Sequence, residues 1–467
     1  MKGRPKVAEQ LPEYRRPWYQ RWTGVFGEPR RRWRALDETQ RGQANWVFKA
    51  LLVIVVFVIS WPLGLLVVAL FGANYVDEHI PDKYAWLRRA LIPTIIAVVV
   101  ITYPFYNSSL SDMRLFGAYP DVNTAVIMGV YVIMAIGLNI VVGYAGLLDL
   151  GYVAFYAVGA YTCAWFASVQ FAHRNVHFGA TGVSSTTPGI HINIWVLLLI
   201  AGLVTAFIGI LIGLPTLRLR GDYLAIVTLG FGEILPQVAN NGDSLGGFNL
   251  TNGPNGITPI DAPGIFGVSF QEGSGSFFTG PRLFFWFVLL LVAITAFCSL
   301  RLRDSRLGRA WIAIREDETA AAAMGVPLMR TKTWAYATGA FFGGVAGAYF
   351  ASFKSSTFPN DFSFNISAFI LSMVILGGMG NVWGVMFGAA FLAYLNQEGL
   401  ANIGHSLNQT FGTNFEVPLY QFGIYGAIIV LVMLIRPEGL IPSTRRQAEF
   451  HEGVHDAPLY DARHDTA

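Results

Sequence analysis

Charge and cysteine are what this chain has least of. It carries two cysteines in 467 residues, and Asp, Glu, Lys and Arg make up 13% of it, against about 25% in ordinary soluble chains. Cys163 and Cys298 both fall in apolar runs and read as buried small hydrophobes, which leaves no disulfide framework. No paired His/Cys spacing suggests a metal site. The sequence has no Gly-x4-Gly-Lys-Ser/Thr phosphate loop and no Gly-x-Ser-x-Gly nucleophile elbow. Its Gly-rich stretches sit in no βαβ pattern. These absences exclude the common enzyme classes, and the chain reads as a non-enzyme that needs no cofactor of its own.

Apolar length is what the chain has most of. Hydrophobic residues make up 54% of it, and several runs reach the roughly 18–20 residues that cross a bilayer. The expected fold is an all-α polytopic membrane protein with about ten transmembrane helices, some broken or re-entrant. Candidate spans are Phe48–Phe71, Ala90–Tyr106, Val122–Val142, Tyr152–Val169, Ile192–Leu214, Tyr223–Val238, Leu283–Leu300, Trp334–Phe353, Phe364–Gly378, Val382–Asn396 and Leu419–Ile435. Gly339, Gly343 and Gly347 recur every four residues, as do Gly384 and Gly388. That spacing lets helices pack closely.

Cations set the sidedness. Residues 1–47 form a basic arm with interspersed Trp18, Trp22, Trp33 and Trp46, suited to anionic headgroups on the cytoplasmic face. Residues 48–436 form the transmembrane domain, and 437–467 a polar cytoplasmic tail containing His451, His455 and His464. Loops 240–280 and 397–418 contain no Lys or Arg and belong outside; Arg218, Arg220 and Arg436 belong inside. Counting spans back from Arg218 puts Gly143–Gly151 inside. It also places the basic arm outside unless Phe48–Phe71 returns to its own side, near Trp61-Pro62, or a later segment is re-entrant.

Three apolar segments contain breaks: 137–151, 217–233 and 376–381. Glycines free backbone groups there, and such groups are tolerated at membrane depth where protein or a cavity meets them. Candidate residues for lining a solute pathway are Asn139, Gly143, Gly146 and Gly151 from the first break and Thr228 and Glu233 from the second. Asp149 also lies in the first break, where it adds charge or caps the next helix. Asp222 reads as a helix N-cap.

Between two apolar runs lies 305–332, within a cationic loop 301–333 that carries Arg301, Arg303, Arg306, Arg309, Arg315, Arg330 and Lys332. It is long enough for a helix of its own, with Glu316, Asp317 and Glu318 at the start and Gly325-Val326-Pro327 at the end. A cytoplasmic surface helix here serves either as a docking element for a soluble partner or as a solvated connector.

The segments GLNIVVGYAGLLDLGYVAFYAVGAY (137–161), LRLRGDYLAIVTLGFGEI (217–234), NGPNGI (252–257), LGRAWIAIREDETAAAAMG (307–325) and VILGGMGN (374–381) together resemble the permease subunit of bacterial branched-chain amino acid ABC importers. The likeness spans about 110–440 and is nearer the M-type than the H-type of the two permeases. It implies a multi-pass permease in the inner membrane, a second permease of the H-type, two ATPase subunits that bind the ATP, and an extracytoplasmic binding protein. It also implies that 315–327 is the coupling helix, with Arg315, Glu316, Asp317, Glu318, Ala320 and Gly325 at its core, and that the substrate is Leu, Ile or Val. A urea or short-amide importer permease shares the architecture, and an ATP-independent facilitator is the remaining alternative. Two departures stand out. Gly325 follows Glu318-Thr319-Ala320 one residue later than the usual Glu-Ala-Ala-x3-Gly pattern, and Asn252 stands where many relatives have Gly.

Overall fold

The computed structural model describes residues 98–105, 107 and 120–441, apart from 185, 220–221, 245, 266, 272, 274–277, 413–415 and 437–438. Contacts divide the chain into two units, 1–106 and 107–467; in the first, 98–105 are helical. The basic arm, the Phe48–Phe71 run and most of the tail lie outside the described residues.

Twelve α-helices carry the second unit's described residues. They are α1 (Val122–Leu138), α2 (Val153–Phe166), α3 (Ile194–Thr216), α4 (Asp222–Asn240), α5 (Gly280–Asp304), α6 (Arg306–Glu316), α7 (Glu318–Ala323), α8 (Leu328–Lys354), α9 (Phe364–Gly377), α10 (Val382–Tyr394), α11 (Leu400–Phe411) and α12 (Gln421–Ile435). Among the described residues five helical stretches are long and apolar enough to cross a membrane. Two short sheets add β1 (Ala167–Ser168), β2 (Asn175–Phe178), β3 (Gly189–Ile192), β4 (Gly264–Ile265) and β5 (Val268–Ser269); the first has the order β1-β3-β2.

Helix α8 is the centre of the bundle because its packing face is made of small residues. A side chain on Gly339 would meet Val141, one on Gly344 would meet Thr205, and one on Gly347 would fall on the Tyr156 carbonyl. The glycine spacing thus lets α1, α2 and α3 approach α8 closely, and Gly384 and Gly388 do the same between α10 and Gly377 of α9. The opposite face of α3 is apolar and open: Leu199, Leu203, Phe207 and Leu211 are 61–65% exposed and follow one another every four residues. That stripe suits lipid or another membrane subunit.

Hydrogen bonds outside the helices gather at two ends of the bundle. At one end Asp261 N–H donates to the Ala167 carbonyl, Ile257 and Thr357 pair, and Trp165 Nε1 donates to Leu250 O at 2.8 Å. This end holds the loop without cations. Here Asn252 has φ +61° and its side chain donates to Gly256 O at 2.8 Å. Asn tolerates the left-handed region better than other non-glycine residues, which accounts for its standing in a glycine position. His191 Nδ1 lies 2.8 Å from Asp261 Oδ2, and burial pushes the Asp261 carboxyl up while the imidazole opposes that shift.

The other end gathers the C-terminal end of α1, α6 and α7, the 378–381 loop and residues 439–441. It is the cationic side. Single cysteines at exposed Ser244 and Ser406, in a background with Cys163→Ala and Cys298→Ala, should react with a membrane-impermeant thiol reagent from outside intact cells. One at exposed Arg306 should react only after lysis. Labelling of Arg306→Cys from outside would invert the assignment.

Three expectations need correction. The segment 217–233 is not broken within its second half: α4 runs unbroken through Gly230 and Gly232 to Asn240. Loop 397–418 is mostly helix, since α10 continues through a π-turn (Leu395–Gly399) into α11. The His405–Gln409 pair at i, i+4 supports that helix, where low hydropathy alone suggests a loop. Cys298 is half-buried rather than buried.

Candidate functional site

The first break is a change of helix type. After Leu138 the chain turns into a π-helix over Asn139–Tyr144 and then unwinds, with Gly146 at φ +69°. In place of the α-helical pattern, Ala145 N–H bonds to Ile140 O and Leu147 N–H to Val141 O. The Gly143 carbonyl therefore lacks its usual donor four residues on. Arg315 supplies one, its Nη1 lying 2.7 Å from Gly143 O. A cation at a helix C-terminus also complements the helix dipole.

Other elements pin the rest of the break. Asn139 is fully buried, and its Oδ1 accepts the Gly380 N–H at 2.8 Å. Leu150 N–H donates to Thr228 Oγ1 at 3.1 Å, and Val153 N–H donates to Ser367 Oγ at 2.9 Å. Tyr152 donates its hydroxyl to Gly339 O at 2.9 Å. Asp149 is buried and its Oδ1 accepts the Gly151 N–H at 2.8 Å, so it closes the turn that opens α2. The backbone of the break thus bonds to α4, α6 and α9, and its Tyr152 and Asn139 side chains to α8 and the 378–381 loop, which is how a break survives in an apolar bundle.

The candidate pathway residues divide accordingly. Asn139, Gly143, Gly146, Gly151 and Thr228 come together at the inner junction. Each of the three glycines faces protein atoms: Asn139 beside Gly143, Arg315 beside Gly146, and the Thr228 carbonyl beside Gly151. Glu233 lies elsewhere, exposed on α4. The glycines are where the helices and the α6–α7 segment meet at short range.

The cationic segment 301–333 holds two helices rather than the one expected. Ser305 caps α6, its hydroxyl accepting the Gly308 N–H. Asp317 ends α6 and caps α7, accepting the Thr319 N–H at 2.8 Å and the Ala320 N–H at 3.0 Å. The Thr319 hydroxyl, which also donates to Asp317 Oδ1, and then these two N–H bonds hold its carboxyl below the ordinary carboxylate range. At the other end Gly325, with φ +84°, donates to Ala322 O, and Val326 N–H donates to Ala321 O. This is the glycine-terminated helix end known as a Schellman motif, and it fixes where Gly325 must stand. The pair is fastened to α8 by Trp311, fully buried with Nε1 2.8 Å from Thr331 O, and by Lys332 Nζ, 2.8 Å from Glu318 Oε1. Glu316, Thr319, Ala320 and Met324 remain exposed, Met324 by 84%. Arg315 is half-buried and faces inward.

The α6–α7 pair thus meets the unwound end of α1 at the Arg315 guanidinium. Comparison with known families settles what kind of protein uses it. A family profile described as "Branched-chain amino acid transport system / permease component" matches residues 122–433. The chain belongs to this permease family. The permease is 37% identical to the high-affinity branched-chain amino acid transport system permease protein LivM of Salmonella typhimurium over 79% of this chain and 78% of that protein. It is 27% identical to the probable branched-chain amino acid transport permease protein LivM of Methanocaldococcus jannaschii, over 67% of this chain and 91% of that one. LivH of Salmonella typhimurium, the permease of the other type, is 23% identical over 71% and 97%. The permease therefore stands nearer LivM than LivH, as the sequence motifs indicate. No solved structure matches it significantly.

Two features escaped the sequence reading. The π-turn has no signature beyond its glycine, and the Arg315–Gly143 contact joins residues 172 positions apart. Arg315, one turn after Trp311 in an amphipathic helix, was the available signal.

Proposed function

We propose that this chain is the M-type membrane subunit of an ATP-driven importer for Leu, Ile or Val. It pairs with an H-type permease in the inner membrane, one of two ATPase subunits docks on α6 and α7, and a binding protein delivers substrate to the outer end. The observation that carries this reading is the cytoplasmic helix pair: its outer face is exposed and capped for docking, while its inner face bonds directly to the broken end of α1. A solvated connector would need neither feature. The relatives' names supply the substrate class. Asn139, Gly143, Gly146, Gly151 and Thr228 then act as the inner gate of the pathway, and Glu233 is a site on α4 facing the partner or the pathway.

The test is uptake of labelled leucine into proteoliposomes holding this chain with its genomic neighbours. Uptake should require ATP and be competed by isoleucine and valine. Competition by urea in their place would assign the short-amide class, and uptake that continues without ATP would make the chain a facilitator.

A further inference from the structure

The Gly143 carbonyl has two possible donors, and the chain uses the distant one. In a continuous α-helix it would accept the Leu147 N–H, four residues on. Here that N–H goes to Val141 O, at 3.1 Å, and the carbonyl takes the Arg315 guanidinium instead. Arg315 also fills the space that rewinding needs. A side chain on Gly146 would meet Arg315 Cγ at 2.8 Å, and one on Gly380 would lie 3.5 Å from Arg315 Nη1. Gly146, at φ +69°, can leave the left-handed region at little cost because it has no Cβ. The second anchor of the junction is also incomplete. Asn139 Oδ1 is bonded to Gly380 N–H, while its buried Nδ2 has no partner.

We infer that Arg315 is the positioning residue that holds the end of α1 in its π-form, and that withdrawal of α6 releases the Gly143 carbonyl to the Leu147 N–H. This rests on the proposed role of α6 and α7 as the ATPase-docking pair, and it names the contact through which their displacement reaches the membrane. The π-turn is the two-state element that such coupling requires. The unwound form is stable only with the guanidinium in place, and the wound form only with it gone. Hydrolysis on the cytoplasmic side and opening of the inner gate are then one motion.

The experiment compares wild type, Arg315→Met and Arg315→Lys in the complete reconstituted transporter, reading leucine uptake and ATP hydrolysis in the same vesicles. Met keeps the stem beside Gly146 and removes the donor. Uptake per ATP hydrolysed should fall about tenfold in Arg315→Met, as expected for loss of one charge-assisted hydrogen bond, and Arg315→Lys should restore part of it. The complex should still co-purify. A wild-type ratio in Arg315→Met overturns the inference. So does failure of that variant to assemble, which would make Arg315 a packing residue. A wild type that shows no ATP-driven uptake overturns the functional reading, and the inference with it, and is told apart by the wild-type vesicles alone.

Discussion

Replacing Gly159 with Leu should abolish the folded protein. At this position α2 and α8 touch through their backbones: a Cβ on Gly159 would land on the carbonyl of Gly344 and lie 2.5 Å from its Cα. The reciprocal contact is Gly347 against the Tyr156 carbonyl. Neither partner is a flexible side chain that could swing aside, so the helices must separate. Separation would undo the packing of Phe155 and Tyr156 against Tyr336, Phe350 and Phe362. Overpacking of a soft core costs about 1–3 kcal/mol, and a backbone collision with no room to relax should exceed that. Size-exclusion profiles and thermal melting in detergent read the effect. Gly423→Ala is the control: nothing lies within 4 Å of its Cβ position, and Ala favours helix over Gly by about 0.5–1 kcal/mol. A monodisperse Gly159→Leu with wild-type melting would show that α2 and α8 are not held by this contact.

Reversing Glu318 to Lys should nearly eliminate uptake while leaving the bundle folded. Lys332 is 5% exposed and is paired at 2.8 Å with Glu318, which is 29% exposed. Two cations at this place would repel, and Lys332 would stay in the protein uncompensated. For a pair part-screened by solvent the cost is roughly 1–3 kcal/mol, enough to lift α7 from the base of α8 but not to unfold the rest of the bundle. ATPase stimulation by loaded binding protein and leucine uptake should both drop more than about tenfold. The charge swap Glu318→Lys with Lys332→Glu should recover much of the loss, and normal stimulation in Glu318→Lys alone would remove α7 from the coupling path. Gly325 acts on the same helix by a different route. Space around it is open, so Gly325→Val is penalised through its φ of +84°, about 1–2 kcal/mol, and Gly325→Asn should be tolerated better.

Much of this architecture is legible from residue order. Apolar runs mark the spans because no other fold hides so many such residues, and Gly339-x3-Gly343-x3-Gly347 marks the central helix because only small residues allow carbonyls that near. The helix stops at Asp317 and Gly325 are local chemistry and can be read locally. What could not be read is either non-local or permissive. Gly230 and Gly232 suggest a break, yet α4 continues through them because bilayer and neighbours leave its N–H groups no better partner than its own carbonyls. Glycine permits unwinding without causing it. At Gly143 and Gly146 the cause lies in Arg315 and Gly380, and nothing in the first break announces either. Glu233 reads as a site residue because a carboxylate in an apolar run is costly, and it sits on an exposed face of α4, away from the junction.

Residues 439–441 carry a consequence for how the chain is made. Leu440 N–H and Ile441 N–H bond to the Leu376 and Gly377 carbonyls at 2.9 and 3.2 Å, and Ile441 O accepts from Asn381 Nδ2 at 2.9 Å. The 378–381 loop, which holds Asn139, is therefore completed by residues that leave the ribosome after α12. Synthesis proceeds from the N-terminus, so α1 waits for most of the polypeptide before its inner end has all its neighbours. A chain that stops short of Gly439 would present a nearly whole bundle with an unfinished junction, and a cell's quality control has reason to test this protein last at that end.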